Sequence, residues 1–561
     1  MVTNKYITRI ASVIMAAAVI LCLMASLFSD KLQEVYGNNA VTMKYESKLF
    51  NTDQIMDIDI LMDEDDWNNM LENAISEEYY SCNVVVNGKT FYSVGIRPKG
   101  NTSLSSIAND PDTDRYSFKL EFDHYIEGQT CYGLDKLILN NNYADATNMK
   151  EAIVYDMYQY LGVDASLYNY AKISVNGDYR GVYLALEAVE DSFMLRNYGT
   201  EDGNLYKPES MGIGGGVDGN GFPQKGEMPD GEDFPQKGEM PDGEDFPQMG
   251  EAPNGEAADI KMGIMGGNGG ADLNYTDDDL DSYSTIWDGE ITDTDKKDHK
   301  RVVEALKNIS EGTDLETYMD VDNILKYMAV HTFVVNDDSL SGTMAHNYYL
   351  YEYNGKLNIL PWDYNLSFGG MSMGGKMGGQ SLGATSVIND AIDMPFSITD
   401  FFDALLENEE YLEQYHGYLN ELVEKYVNGG EFEKTYERIR SQIDDLVGND
   451  PTAFYSYEEY EEAANMLIEV VQLRAKSVSG QLAGTIPSTD EGQQQDSSNL
   501  IDGSDIDLSV MGSFSGGGGG NEGQGKDNGF AGTPQPFDAG DVSPISEEKA
   551  DLQDSNQDSV K

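Results

Sequence analysis

Residues 208 to 275 interrupt an otherwise foldable chain. The unit FPQKGEMPDGED stands at 222 and again at 234, FPQMGEAPNGEA at 246 is a degraded third copy, and Gly-Met-rich runs flank them. A 12-residue period so rich in Pro, Gly and acid cannot bury a core, so the segment reads as a disordered, solvated insertion rather than a solenoid. A binding segment for basic partners is the sharper alternative. The fold must therefore be assembled from the chain before the insertion and the chain after it.

The part before it is β-rich. SCNVVVNGKTFYSVGIRPKG gives two strands around Asn87-Gly88, and RYSFKLEF gives another with strict alternation. A helix follows, because Met149, Ala152, Ile153, Met157 and Tyr160 recur at helical spacing, Asp145 or Thr147 can cap its start and Gly162 can close it. YAKISVNGDYRGVYLALE then reads as a hairpin turning at Asn176-Gly177-Asp178. After the insertion the pattern turns helical, in KKDHKRVVEALKNI, in LETYMDVDNILKYMAVHTFVV, near 400 to 427, and around Leu467 to Val478. One β pair, NYYLYEYNGKLNILPWD, lies among these helices and folds over Asn354-Gly355. From about 485 to 561 the Ser, Gly, Asp and Gln content reads as a disordered tail.

With 36 Lys and Arg against 99 Asp and Glu, a net charge of −63 excludes non-specific nucleic-acid binding, which requires cations to neutralise phosphates. Residues 10 to 28, IASVIMAAAVILCLMASLF, carry no charge and follow Lys5 and Arg9, so residues 1–31 read as a signal peptide or an N-terminal membrane anchor, and the remainder as exported. Cys82 and Cys131 are the only cysteines outside that segment, too few for a disulfide scaffold, and the five histidines show no HExxH spacing.

The most informative stretch is KLNILPWDYNLSFGG, at 356–370, in which a strand suited to an interior ends on Asp363. An Asp there can cap a turn, or it can be held rigidly for chemistry. The order of elements favours the second reading. A β-rich lobe with one helix before its last two strands, followed by a helical lobe containing one hairpin, is the plan of protein kinases. Lys119 stands on the strand before the helix and Glu151 in the helix's first turns, the places of the Lys and Glu that pair in kinases, although the dipole also favours an acid there. VVNDDSLSGTMAHNYYLY supplies Asp337 and Asp338 and then Asn347, and Arg97 and Lys99 of RPKGNTS form either a phosphate cradle or a solvated basic turn. Phosphoryl transfer needs positioning and charge neutralisation, and Mg²⁺ is satisfied by one or two carboxylates, an amide oxygen and phosphates. Asp363 and Asn347 suit the metal, and Asp338 suits an acceptor hydroxyl.

The segments GIRPKGNTS, RYSFKLEF, LILNNNYADATNMKEAIVYDMYQYLGV, ISVNGDYRGVYLALEAVE and NDDSLSGTMAHNYYLYEYNGKLNILPWDYNLSFGG cover most of residues 90 to 370. In this order they resemble the spore coat protein CotH family of atypical kinases. The resemblance implies an α+β, divergent two-lobed protein kinase-like fold over 45–484, with an N-lobe at about 45–190 and a C-lobe at about 276–484. It implies ATP with Mg²⁺ or Mn²⁺ as cofactors and a Ser- or Thr-bearing coat or surface protein as partner, at the cell surface, a membrane or the spore coat. By the resemblance Asp338 would be the catalytic residue, Asp363 the metal-binding one and Arg97 and Lys119 phosphate-side residues, with Glu187 closing the strand that leads to the connector; Asn347 joins the expected metal ligands, and Lys99, Glu151 and Glu187 the expected cofactor-binding residues. The family's Trp-Asp-x-Asp is departed from at Asn365, which stands for the second acid. A noncatalytic exported surface or coat protein on the same scaffold is the competing expectation.

Overall fold

The computed structural model describes residues 41–209, 269–342, 345–371, 383–393, 396 and 399–512. The apolar N-terminal stretch, the repeats at 222–257 and the tail beyond 512 lie outside the described residues. Among the described residues no helix is long and apolar enough to cross a membrane.

Seven strands close into a barrel in the order β1-β2-β3-β4-β5-β7-β6. They are β1 (Met56–Leu61), β2 (Tyr80–Val86), β3 (Lys89–Lys99), β4 (Ser117–Glu121), β5 (Lys136–Asn140), β6 (Tyr168–Val175) and β7 (Asp178–Glu187). Pairing is antiparallel except where β1 runs parallel to β6 and completes the ring. Alternation decides what fills the interior: Ile58, Ile60, Val84, Ile96, Phe118, Leu120, Leu137, Leu139 and Ile173 point inward and form one buried cluster. The alternate residues point outward. The turns at Asn87-Gly88 and Asn176-Gly177 both have positive φ at their two central residues, as tight hairpins in a twisted sheet require. Cys82 and Cys131 are buried and unpaired. Helices Glu64–Glu72 and Thr102–Ala108, unexpected from the alternation, join barrel strands.

A second, three-stranded sheet has the order β10-β9-β8, from β8 (Asn204–Tyr206), β9 (Tyr348–Tyr353) and β10 (Lys356–Pro361). Helices α1 (Lys150–Leu161), α2 (Val321–Val334), α3 (Glu431–Gly448) and α4 (Tyr457–Leu482) contribute side chains to one buried cluster. The start of α1 is secured from outside the helix, since Asp145 Oδ2 accepts from Lys150 N at 3.0 Å and Thr147 Oγ1 from Met149 N at 2.9 Å. Its face is not amphipathic, because it is enclosed on both sides. Ile138, Leu184 and Leu186 on the barrel's outer wall share one continuous core with α1, α2 and α4. The mixed helix and strand composition accords with the α+β reading, while the β-rich part is a closed barrel joined to the helices by that common core.

Arg115 crosses the junction. Its Nη1 donates to Asp450 Oδ2 at 2.7 Å and Thr452 Oγ1 at 2.8 Å, its Nη2 to Val182 O at 2.6 Å and its Nε to Asn141 O at 3.0 Å. The expected structureless tail does not begin at 485. Residues 490–495 form a short helix, and Leu508 and Met511 are buried, with Met511 O accepting from Ala146 N at 3.1 Å. Ile486 is buried too, Ile501 and Ile506 pack against the core and Ile501 N donates to Asn389 Oδ1 at 2.9 Å, so a few apolar side chains and backbone ties fasten a stretch whose average composition is polar.

Candidate functional site

Outside the barrel, the outer faces of β3 and β4 form one wall of a cleft of about 380 Å³. Arg97 pairs in register with Lys119, and Lys99 with Ser117, so the residues alternating with Ile96, Phe118 and Leu120 present their cationic groups on one surface. Asn140 at the end of β5, Glu151 from α1 and the backbone from Gly100 to Ser103 extend that wall. The facing wall comes from the second sheet and the loop after α2, and carries Asp338, His346, Asn347, Trp362, Asp363 and Asn365. Sequence reasoning named Arg97, Lys99, Lys119, Glu151, Asp338, Asn347 and Asp363, and all seven line this one cleft. Of the Asp337-Asp338 pair, it is Asp338 that lines it.

The backbone near the acids is held in uncommon conformations. Val335, Ala345, Asn347, Asp363 and Phe368 all have φ between +45° and +61°. For a β-branched residue such as Val335 this is an outlier, and such a conformation costs about 1–3 kcal/mol and persists only where its surroundings compel it. Here they do: Phe368 N donates to Val334 O at 2.6 Å and Gly369 N to Val335 O at 3.3 Å, stitching the segment after Asp363 to the end of α2. Asp338 is oriented from two sides, by Asn347 Nδ2 to its backbone O at 2.8 Å and its Oδ2 at 3.1 Å, and by His346 Nε2 at 2.9 Å from Oδ1.

The charges are tightly coupled. Burial, reinforced by the Asp363 charge, pushes Glu151 up to about 8, although Asn140 Nδ2 donates to its Oε2 at 2.8 Å. Its buried Oε1 has no hydrogen-bond partner among the described residues. Asp363 is likewise raised by burial, with Lys99 opposing and Asp338 adding to the rise. Lys99 is lowered by burial, and Asp363 pulls it back. Its Nζ donates to Asn140 Oδ1 at 3.3 Å and lies 5.3 Å from the centre of the Trp362 ring.

Two expectations need correction. A kinase-like pairing of Lys119 with Glu151 is not formed: Lys119 Nζ bonds Glu190 Oε1 at 2.6 Å, and Lys136 holds the other oxygen of Glu190. Burial would raise Glu190, but the two lysines overcome this and hold it down to about 2. Lys99 is the cation whose charge acts on Glu151 and Asp363. Glu187 does not line the cleft at all. It is wholly buried and accepts from Tyr45 Oη at 2.5 Å, Leu167 N at 3.0 Å and Arg196 Nε at 2.9 Å, which occupies its oxygens in fastening the barrel's end.

Sequence reasoning missed Asn140, Glu190, Lys207, Glu209 and His346. Adjacency to Asn347 was a usable signal for His346. Lys207 immediately precedes the stretch read as a disordered insertion and Glu209 falls inside it, and Glu190 closes ISVNGDYRGVYLALEAVE, a segment in which Glu187 was singled out instead. Asn365 lines the cleft and donates through Nδ2 to Tyr143 O at 2.8 Å, a backbone tie a carboxylate could not make.

Among the described residues no three His, Cys, Asp or Glu side chains are gathered so as to hold a metal ion unaided. The donors do fit a hard cation that shares its shell with phosphates: a buried Glu151 raised by burial and the Asp363 charge, a half-buried Asp363 raised by burial and the Asp338 charge, an orphaned carboxylate oxygen and adjacent lysines.

The family model described as CotH kinase protein matches residues 96–478, most of the chain and nearly all of the framework around the cleft. No curated protein matches the sequence. The chain belongs to the CotH kinase protein family.

Proposed function

We propose that this CotH-family chain is a protein kinase that transfers the γ-phosphoryl group of ATP to Ser or Thr of a coat or cell-surface protein. The observation that carries this reading is the meeting, in one cleft, of Asp338, Asn347 and Asp363 from one wall with Arg97, Lys99 and Glu151 from the other. A volume of about 380 Å³ suits a nucleotide-sized ligand only with part of it at the open mouth. Asp338, aimed by Asn347 and His346, is placed to orient the acceptor hydroxyl and receive its proton. Asp363, Asn347 and Glu151 would hold Mg²⁺ or Mn²⁺, and Lys99 and Arg97 the phosphates. When bound, the cation neutralises charge on the β- and γ-phosphates. The two-lobed kinase-like arrangement is supported by this division of the cleft between a barrel wall and a hairpin wall. Export to the cell surface, a membrane or the spore coat is supported by the uncharged segment at 10–28 and by the family.

A noncatalytic scaffold is the second reading, favoured by the Lys119–Glu190 pair and by Asn365. Titration of the full chain with ATP and Mn²⁺, and transfer of labelled phosphate to a Ser/Thr-rich acceptor, separate the two. The kinase reading expects Asp338→Asn and Asp363→Asn to remove transfer while melting remains cooperative. Nucleotide binding without transfer would select the scaffold, and no binding at all would remove both cofactor assignments.

A further inference from the structure

The two acids of the proposed reaction sit on different elements, Asp338 after α2 and Asp363 after β10, and a buried hydrogen-bond chain runs behind the cleft between them. Tyr158 Oη of α1 donates to Tyr364 Oη at 2.6 Å. Tyr364 Oη is 3.1 Å from Nδ1 of His331, on α2. Nε2 of His331 is 2.9 Å from Ser341 Oγ and 3.3 Å from Ser339 Oγ. Both serine hydroxyls donate to Asn336 O, at 2.8 Å from Ser339 and 3.1 Å from Ser341. Asn336 Nδ2 closes the circuit on Asp363 O at 3.4 Å.

One arrangement of protons satisfies the links to the ring and to Asn336 O, and leaves only the 2.9 Å contact between Ser339 Oγ and Ser341 Oγ without a proton. The serine protons are committed to Asn336 O, so the serine oxygens accept from Nε2–H. Nδ1 must then accept the Tyr364 proton, while Tyr364 Oη accepts from Tyr158. The imidazole is neutral in this arrangement, and burial supports it by pushing His331 down to about 3. Packing fixes the ring as well: it stacks on Phe396 at 4.9 Å and on Tyr327 at 5.5 Å between centroids. Tyr364 directly follows Asp363, and Asn336 lies two residues before Asp338, so residues beside both acids are tied to this ring, Tyr364 directly and Asn336 through the two serines.

We propose that His331 is a positioning residue that couples the loop carrying Asp338 to the turn carrying Asp363, through Ser339 and Ser341 on one side and Tyr364 on the other. The consequence for catalysis rests on the phosphoryl-transfer reading above, but the coupling itself does not. The test uses the full chain and three variants, His331→Phe, His331→Gln and Tyr364→Phe. It has two readouts: amide hydrogen exchange, and kcat and KM with Mn²⁺ and ATP. His331→Phe and Tyr364→Phe are expected to speed exchange in 336–342 and in 364–370 together, by about tenfold, with the barrel strands unchanged. They should lower kcat by about 10–100-fold with KM for ATP within threefold, as misplacement of reacting groups does. His331→Gln, which retains one donor and one acceptor, is expected to recover most of both effects. Unchanged exchange, loosening of one segment alone, or uniform loosening that Gln does not repair would each overturn the coupling. A wild-type chain that neither binds Mn²⁺–ATP nor transfers phosphate would overturn the kinase reading, while the exchange data would still decide the role of His331.

Discussion

Glu151→Gln tests the electrostatics of the cleft without needing a substrate. The Glu151 carboxyl is raised from 4.5 to about 8, first by burial and then by the Asp363 charge. Between those two values the folded protein holds a proton that the unfolded chain releases, so stability falls as pH rises. The sign follows: the contribution is fully present below 4.5 and lost as pH passes through 8. At 1.36 kcal/mol per pKa unit, the wild-type chain forfeits about 5 kcal/mol by pH 9 relative to a neutral side chain. With about 400 described residues and about 2.1 cal/mol/K per residue, unfolding entropy is about 0.8 kcal/mol/K, so the loss corresponds to about 6 °C in Tm. Gln keeps a carbonyl oxygen for Asn140 Nδ2 and has no charge to desolvate. In metal-free buffer the two melting curves should coincide near pH 5 and diverge steadily to pH 9, with the variant higher. Wild type should regain the difference when Mn²⁺ is added, and the variant should not. Parallel Tm-against-pH curves would refute the claim that Glu151 is a buried acid raised by its surroundings.

Arg115→Met should cost about 3–5 kcal/mol, because it leaves Asp450, whose side chain is 2 % exposed, buried without its cation; the urea midpoint measures this. Ending the chain at 484 rather than 512 should lower Tm, since burial of Leu508 and Met511 is worth about 1.5–3 kcal/mol each, and equal melting would show that the segment does not dock. Lys99→Met should weaken Mn²⁺–ATP binding in a titration more than Lys119→Met, because Lys119 is already committed to Glu190; the reverse order would return the phosphate-side role to Lys119.

Local pattern carried a large part of the fold. Alternation in SFKLE put Phe118 and Leu120 inside and Lys119 outside, and three Asn-Gly pairs marked hairpin turns that all have positive φ, Asn354-Gly355 included. The strand leading to Asp363 was legible because Pro361, where it ends, and the Trp362 and Asp363 beyond it break an apolar run. Closure of the barrel was not legible, since the parallel pairing of β1 with β6 joins residues more than 100 positions apart and leaves no local signature. Nor was the attachment of 485–512, whose buried Ile486, Leu508 and Met511 are diluted by Ser, Asp, Gln and Gly.

Period-2 alternation in β3 and β4 puts Arg97, Lys99 and Lys119 on one face, and that much is written in local pattern. Their partners depend on how distant segments come together. Charge pairing depends on the few ångströms between side-chain ends, and these are set by how the connector after β7 returns to the barrel. Glu190 therefore takes Lys119, Glu187 goes to Arg196 and Tyr45, and Lys99 is left facing Glu151 and Asp363.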